Sequence, residues 1–224
     1  ISFGGMGEGI NTSTGAGFNM NHVFSKAFIL NTQYFYGQTQ NDIESISKTQ
    51  QFLGDTVITS NTNRDELYKS FNHRIAFGLR RQIDSLTRYE FKPNLVLIEN
   101  NNIRRTFTDN SNNIDGLLST SLNNGNTKGK DVQYNHNLTF FKNFKKKGRT
   151  LNVANFINTN AYENDQVTEA LNAFLKFGDT TYLDQLRSRT QDNLNVNANI
   201  NFTEPISKQS SLRLGYTGTY LVNK

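Results

Sequence analysis

Apolar and polar residues alternate one for one along most of this chain, which is the period of a β-strand with two different faces. The pattern is clearest near the end: Leu194, Val196, Ala198, Ile200 and Phe202 alternate with Asn193, Asn195, Asn197, Asn199 and Asn201. It recurs in Phe71, His73, Ile75, Phe77 and Leu79 against Asn72, Arg74, Ala76, Gly78 and Arg80, and in Val132, Tyr134, His136, Leu138 and Phe140 against Gln133, Asn135, Asn137 and Thr139. Four short turns, predicted near residues 24–26, 83–86, 145–148 and 205–208, are spaced about 60 residues apart. The alternation on both sides of each turn predicts four hairpins and eight strands.

Soluble sandwich strands run about 5–6 residues, with turn signals every 8–12. The alternating stretches here run roughly 10–18 residues, and a tilted strand crosses a bilayer in about 9–11. The predicted fold is therefore all-β, an antiparallel up-and-down transmembrane β-barrel, with residues 1–224 forming about eight strands of a larger barrel. Phe24, Phe28, Tyr89, Phe91, Phe140, Phe144 and Phe202, close to the turns, are placed in an interfacial aromatic girdle. The competing reading of these aromatics is an ordinary core.

Long connections are expected at 41–63, 101–129 and 163–188, all rich in Asn, Asp, Ser, Thr and Gly. Outer-membrane barrels keep short turns in the periplasm and long loops outside, so this pattern predicts the cell outer membrane with the four short turns periplasmic. Both termini then fall on the extracellular side and the chain stops inside an alternating run, so a piece of a larger barrel is expected; a self-contained eight-stranded barrel is the alternative. In the third connection Thr168 is positioned to cap a short helix through Glu169, Leu171, Phe174 and Leu175, ended by Gly178. Phe174, Phe177 and Tyr182 are candidates for an extracellular contact, or for a small hydrophobic plug that shapes the loop.

Only 35% of the residues are hydrophobic and mean hydropathy is −0.63; no run of about 20 apolar residues exists for a membrane helix, but a barrel, where every second residue faces a polar lumen, needs none. There is no cysteine, hence no disulfide and no thiolate metal site. No basic-then-apolar leader opens the sequence, so an exported form is expected to be a mature or cut one. Much of the net charge of +5 comes from Lys142, Lys145, Lys146, Lys147 and Arg149. That cluster reads as a solvated turn without a stacking platform, so nucleic acid is not an expected partner.

Candidate chemistry changes the picture little. The run Gly4-Gly5-Met6-Gly7-Glu8-Gly9 has neither the preceding strand nor the Lys-Ser/Thr ending of a phosphate loop. The segment from Asp109 to Gly116 puts Ile114 where a calcium loop needs glycine and Thr120 where it needs a bidentate glutamate. His22, His73 and His136 all fall on the apolar face, with no local catalytic or metal-binding partner. No catalytic, cofactor or metal site is predicted, and the chain is not read as an enzyme. The polar face is more informative: Arg74, Arg80, Arg88, Glu90 and Lys92, with Arg213 in the last hairpin, form a candidate lumen wall. Three uses fit it equally: pairing with a plug domain, lining a solute path, or charge pairing between neighbouring strands.

Several segments carry a family resemblance: Phe71-Asn72-His73-Arg74, the stretch from Asp84 to Pro93, Lys145 to Leu151, Tyr182-Leu183-Asp184-Gln185, and Phe202-Thr203-Glu204-Pro205-Ile206. They resemble the outer-membrane β-barrel family of Bacteroidetes-type TonB-dependent-receptor-like proteins. The resemblance implies a regulatory-like domain, a plug domain and a barrel of many more than eight strands, engaged in energy-coupled solute uptake. Outer-membrane lipid would be the direct partner, and the plug and TonB partners only through a full-length protein. A surface adhesion or structural outer-membrane protein, and a secreted soluble β-sandwich binding glycan, are the alternative functions.

Overall fold

The computed structural model describes residues 9–224; the glycine run lies outside them except for Gly9. Eight antiparallel strands follow one another in a single sheet in chain order: β1 (Ile10–Ser25), β2 (Phe28–Leu53), β3 (Thr56–Gln82), β4 (Thr87–Asn112), β5 (Gly116–Asn143), β6 (Thr150–Phe174), β7 (Asp179–Pro205) and β8 (Ser211–Asn223). The all-β, up-and-down topology is the one the alternation predicts. β1 pairs with β2 and β8 with β7, and among the described residues no ladder joins β1 to β8, so the sheet is open.

Four tight turns at 26–27, 83–86, 144–149 and 206–210 close the hairpins at one end. In the second, Asp84 Oδ1 accepts the Leu86 N–H at 2.7 Å and Thr87 Oγ1 donates to Oδ2 at 3.2 Å. The Leu86 N–H, a donor aimed at the charged form, holds the Asp84 carboxyl below its ordinary value. The third and fourth turns are tied together by Glu204, which accepts from Arg149 Nε at 2.6 Å and Nη2 at 2.9 Å and from Lys146 Nζ at 2.5 Å. These donors, Arg149 first, pull the Glu204 carboxyl from the ordinary 4.5 down to about 2. A carboxyl depressed in the folded state stabilises the fold above its unfolded value, and that contribution disappears as pH falls from about 4.5 to about 2. Acid unfolding of Glu204→Gln should therefore show a shallower pH dependence over that window than the parent, with lower stability at neutral pH. Parallel slopes would remove this role.

At the other end the structure corrects the sequence. The connections expected at 41–63, 101–129 and 163–188 are strand almost throughout, closed by short turns at 54–55, 113–115 and 175–178. Asn, Ser and Thr, taken as turn formers, pair across strands instead: Asn61 Nδ2 donates to Asp109 Oδ1 at 2.8 Å, Asn102 Nδ2 to Glu66 Oε1 at 2.8 Å, and Ser121 Oγ to Asn172 Oδ1 at 2.6 Å. The helix expected after Thr168 is also strand. Val167, Glu169, Leu171 and Ala173 satisfy a two-residue period as well as Leu171 and Leu175 satisfy a helical one, and β6 is held by ladders to both β5 and β7. Neighbouring strands outweigh the local cap.

The register makes one face of the sheet continuous across all eight strands. A row of directly opposed residues runs Phe18, Tyr34, Ile75, Leu95, Tyr134, Thr159, Leu194, Val222. Measured from that row, the feet of the strands recede steadily: Tyr34 stands six residues from Phe28, Leu95 eight from Thr87, Thr159 nine from Thr150 and Val222 eleven from Ser211. The charges bordering this face recede in step. Lys69 and Arg81 on β3, Lys130 and Lys142 on β5, and Asp192 and Glu204 on β7 are each twelve residues apart, and all five positions between them on this face are uncharged on each strand. Each pair lies one row further down than the last. Two residues of stagger for every two strands is about 7 Å in about 10 Å, an inclination of roughly 35° if the turns share a plane.

No second layer covers this face within the described residues. Among the described residues only Thr87, Pro93, Gly129 and Ala170 are buried. The chain exposes 15487 Å², half as much again as the roughly 10,000 Å² expected for a compact monomer of its mass.

Candidate solute-facing wall

All six residues predicted for a lumen wall share the face opposite the apolar one. Five of them gather on β3 and β4. Glu90 lies between Lys92 Nζ at 3.0 Å and Arg80 Nε at 3.5 Å, Arg74 Nε donates to Asn94 Oδ1 at 3.0 Å, and the Arg88 guanidinium sits 5.0 Å from the Phe141 ring centre. Charge pairing between neighbouring strands is thus present, Arg80 with Glu90, while Arg88 makes no ion pair with that carboxylate; one carboxylate faces four cations and the cluster stays positive. Arg213 lies far across the sheet, opposite Thr203, and does not join it.

The other half of this face is mostly amide and hydroxyl, its charges being Asp131 on β5, Asp179, Arg187 and Arg189 on β7 and the remote Arg213 on β8. Asn135, Asn158 and Asn195 form one directly opposed row, and Gln133, Asn160 and Asn193 form the next. Towards β8 the amides engage hydroxyls, Asn197 Nδ2 to Thr219 Oγ1 at 2.9 Å and Asn199 Nδ2 to Thr217 Oγ1 at 2.8 Å. The Oδ1 atoms of Asn152, Asn160 and Asn195 are enclosed without a protein partner. The wall is thus divided, cationic on β3–β4 and amide-rich on β5–β8. Sequence reading singled out the charges and passed over the amides; the signal was there, as unbroken Asn at alternate positions.

The apolar face carries polar groups at mid-height. His136 is six residues from both Lys130 and Lys142, and both its ring nitrogens are engaged, Nδ1 with the Tyr134 hydroxyl at 2.9 Å and Nε2 with Asn155 Oδ1 at 2.9 Å. A carbonyl oxygen can only accept, so Nε2 carries the proton and Nδ1 accepts from the phenol. His73 Nδ1 is likewise 2.9 Å from the Tyr34 hydroxyl, and His22 packs edge-on against Phe24. His73 and His136 are thus hydrogen-bonded side chains of an apolar surface, and His22 a packed one. Of the aromatics close to the turns, Phe24 stacks on Phe28 with centroids 4.7 Å apart, and Phe144 meets Phe202 edge-on at 6.3 Å.

Phe174, Phe177 and Tyr182 are not gathered into one cluster. Phe174 shares the lumen-wall face, Tyr182 lies on the apolar face opposite Leu171, Phe177 occupies the turn, and all three are exposed. The segment compared with a calcium loop is the end of β4 and its turn; Asp109 accepts from Asn61, and Asp115 lies 3.7 Å from Lys176 Nζ. No protein-family model matches this chain, and no curated protein matches it.

Proposed function

We propose that this chain is membrane wall in an outer-membrane β-barrel of a TonB-dependent-receptor-like transporter, serving solute uptake. The observation that carries the reading is the twelve-residue interval between bordering charges that β3, β5 and β7 share on the apolar face, stepped by one row from each of these strands to the next. Twelve residues inclined at roughly 35° cover about 32 Å along the normal, close to a bilayer's hydrocarbon thickness, and the inclination matches the strand tilt of outer-membrane barrels. The opposite face keeps Arg74, Arg80, Arg88, Glu90 and Lys92 beside this same uncharged band, which suits a wet interior. On this reading the short turns are periplasmic, and a plug domain and TonB act through a full-length protein.

Refolding the chain from denaturant with and without detergent tests the membrane assignment. Folding that depends on micelles, with a gel mobility that changes on boiling, is the expected result; a soluble, cooperatively unfolding monomer without detergent would sink it. A second reading, surface adhesion, draws on the hairpins beyond the band, where Phe107, Leu122, Leu171 and Tyr182 form one row on the apolar face. Loss of uptake of a nutrient on deleting the full gene favours transport, and loss of surface attachment alone favours adhesion.

A further inference from the structure

On the lumen-wall face, β2 to β5 surround a depression of about 380 Å³. Its floor is made by Ala76 and Gly78, where a methyl group and a bare Cα leave a gap in a row otherwise filled by long side chains. Arg74 and Lys92 stand at its two ends, about 13 Å apart along the strands by their register, and Asn31, Gln33, Asn94 and Asn135 line it between them. No carboxylate lines it; Glu90 meets Lys92 from outside.

The donors are largely uncommitted. Arg74 uses Nε on Asn94, which leaves its two terminal nitrogens for a planar acceptor. Lys92 gives one of three donors to Glu90 and remains exposed. Asn31, Gln33 and Asn135 make no side-chain hydrogen bond with the described residues, so three amides present both donors and acceptors to the cavity. A volume of this size suits a small molecule, and two cations over an amide rim select negative charge together with hydroxyls or other neutral polar groups.

We propose that this cup binds a small polar solute bearing one oxyanion, a carboxylate or a phosphate on a hydroxylated skeleton, with the free guanidinium nitrogens of Arg74 holding the anion, the amides its hydroxyls, and Lys92 donating to the hydroxyls at the far end of the skeleton. It deepens the uptake reading by naming the substrate class, and rests on that reading in taking this face as solvated. The two fail separately: the cup belongs to four adjacent strands and is assayed by binding, while the membrane assignment is assayed by detergent dependence.

The test is equilibrium binding of gluconate, glucose 6-phosphate, glucose and inorganic phosphate to the full chain folded in micelles at low ionic strength. Gluconate or glucose 6-phosphate should bind at least about tenfold more tightly than glucose and than inorganic phosphate, and the better of the two identifies the oxyanion. Arg74→Gln and Lys92→Gln should each weaken that binding about tenfold, with Lys208→Gln, in a remote turn, as the charge-matched control. Gly78→Val should abolish it by filling the floor. A Cβ there meets Asn31 Nδ2 at 3.6 Å and Lys92 Cγ at 3.9 Å, ordinary contacts that the fold tolerates. Boiling-dependent gel mobility verifies folding of each variant, and if Gly78→Val does not fold the two glutamine variants decide. Glucose binding as tightly as the anions, phosphate alone binding as tightly as its sugar ester, no binding by any probe, or binding indifferent to Arg74→Gln and Lys92→Gln would each overturn the proposal.

Discussion

Ala198→Arg is expected to destabilise the folded chain in lipid or detergent by about 2–4 kcal/mol, the cost of a cation at the midplane of a lipid-facing strand. Ala198 is six residues from both Asp192 and Glu204, at the centre of the uncharged interval on β7, between Asn155 and Gly218. Leu194→Arg, two residues from Asp192, should carry a charge penalty of only about 0–1 kcal/mol, because a long cation near the border reaches the headgroups. Asn195→Arg, one residue on and facing the other way, should cost less than about 1 kcal/mol. Urea unfolding in vesicles, followed by tyrosine fluorescence or gel mobility, reads all three. A membrane gives a cost that peaks at mid-height on one face and is absent on the other. A protein layer over the apolar face gives a cost that follows local packing rather than distance from Asp192 and Glu204, and that result would remove the membrane reading.

The same border charges define how much could be read without coordinates. Two faces, eight strands and the positions of the four tight turns follow from alternation alone, because a period of two is written in each strand separately: Leu194 to Phe202 against Asn193 to Asn201 needs no partner to be recognised. Register does not. Lys69, Lys130 and Asp192 become a staircase only when β3, β5 and β7 are aligned through the strands between them. Hence the tilt was invisible in the sequence: turns about 60 residues apart fit upright and inclined hairpins alike. The candidate wall divides in the same way. Arg74, Arg80, Arg88, Glu90 and Lys92 share a face by parity, so their grouping was legible. The cup between them was not, because Ala76 and Gly78 matter for what they lack, and Asn31 and Asn135 come from other hairpins. Arg213 shows the limit of parity: it has the right face and the wrong place.

The largest departure from the sequence reading concerns the far hairpins, and Glu169→Pro separates the two accounts by sign. If Thr168 capped a helix, residue 169 would be its first position, where proline is favoured because the missing N–H has no partner to lose and the fixed φ suits the turn. In the structure Glu169 lies within β6, opposite Asn124 on β5 and Asp184 on β7. Proline there removes a ladder hydrogen bond from a strand paired on both sides, where proline is otherwise confined to edges and bulges. The expected result is a loss of about 1–3 kcal/mol in the local stability of this hairpin, from the lost bond and an orphaned carbonyl. Protease cleavage at the turn 175–178 should accelerate accordingly, with Glu169→Gln as the control for the lost charge and Glu169→Thr, a good strand former, leaving the rate unchanged. A slower cleavage in Glu169→Pro would restore the helix. Acceleration would mean that the polar segments beyond the band hold their shape through strand pairing, with Asn, Ser and Thr acting as cross-strand partners rather than as turn formers.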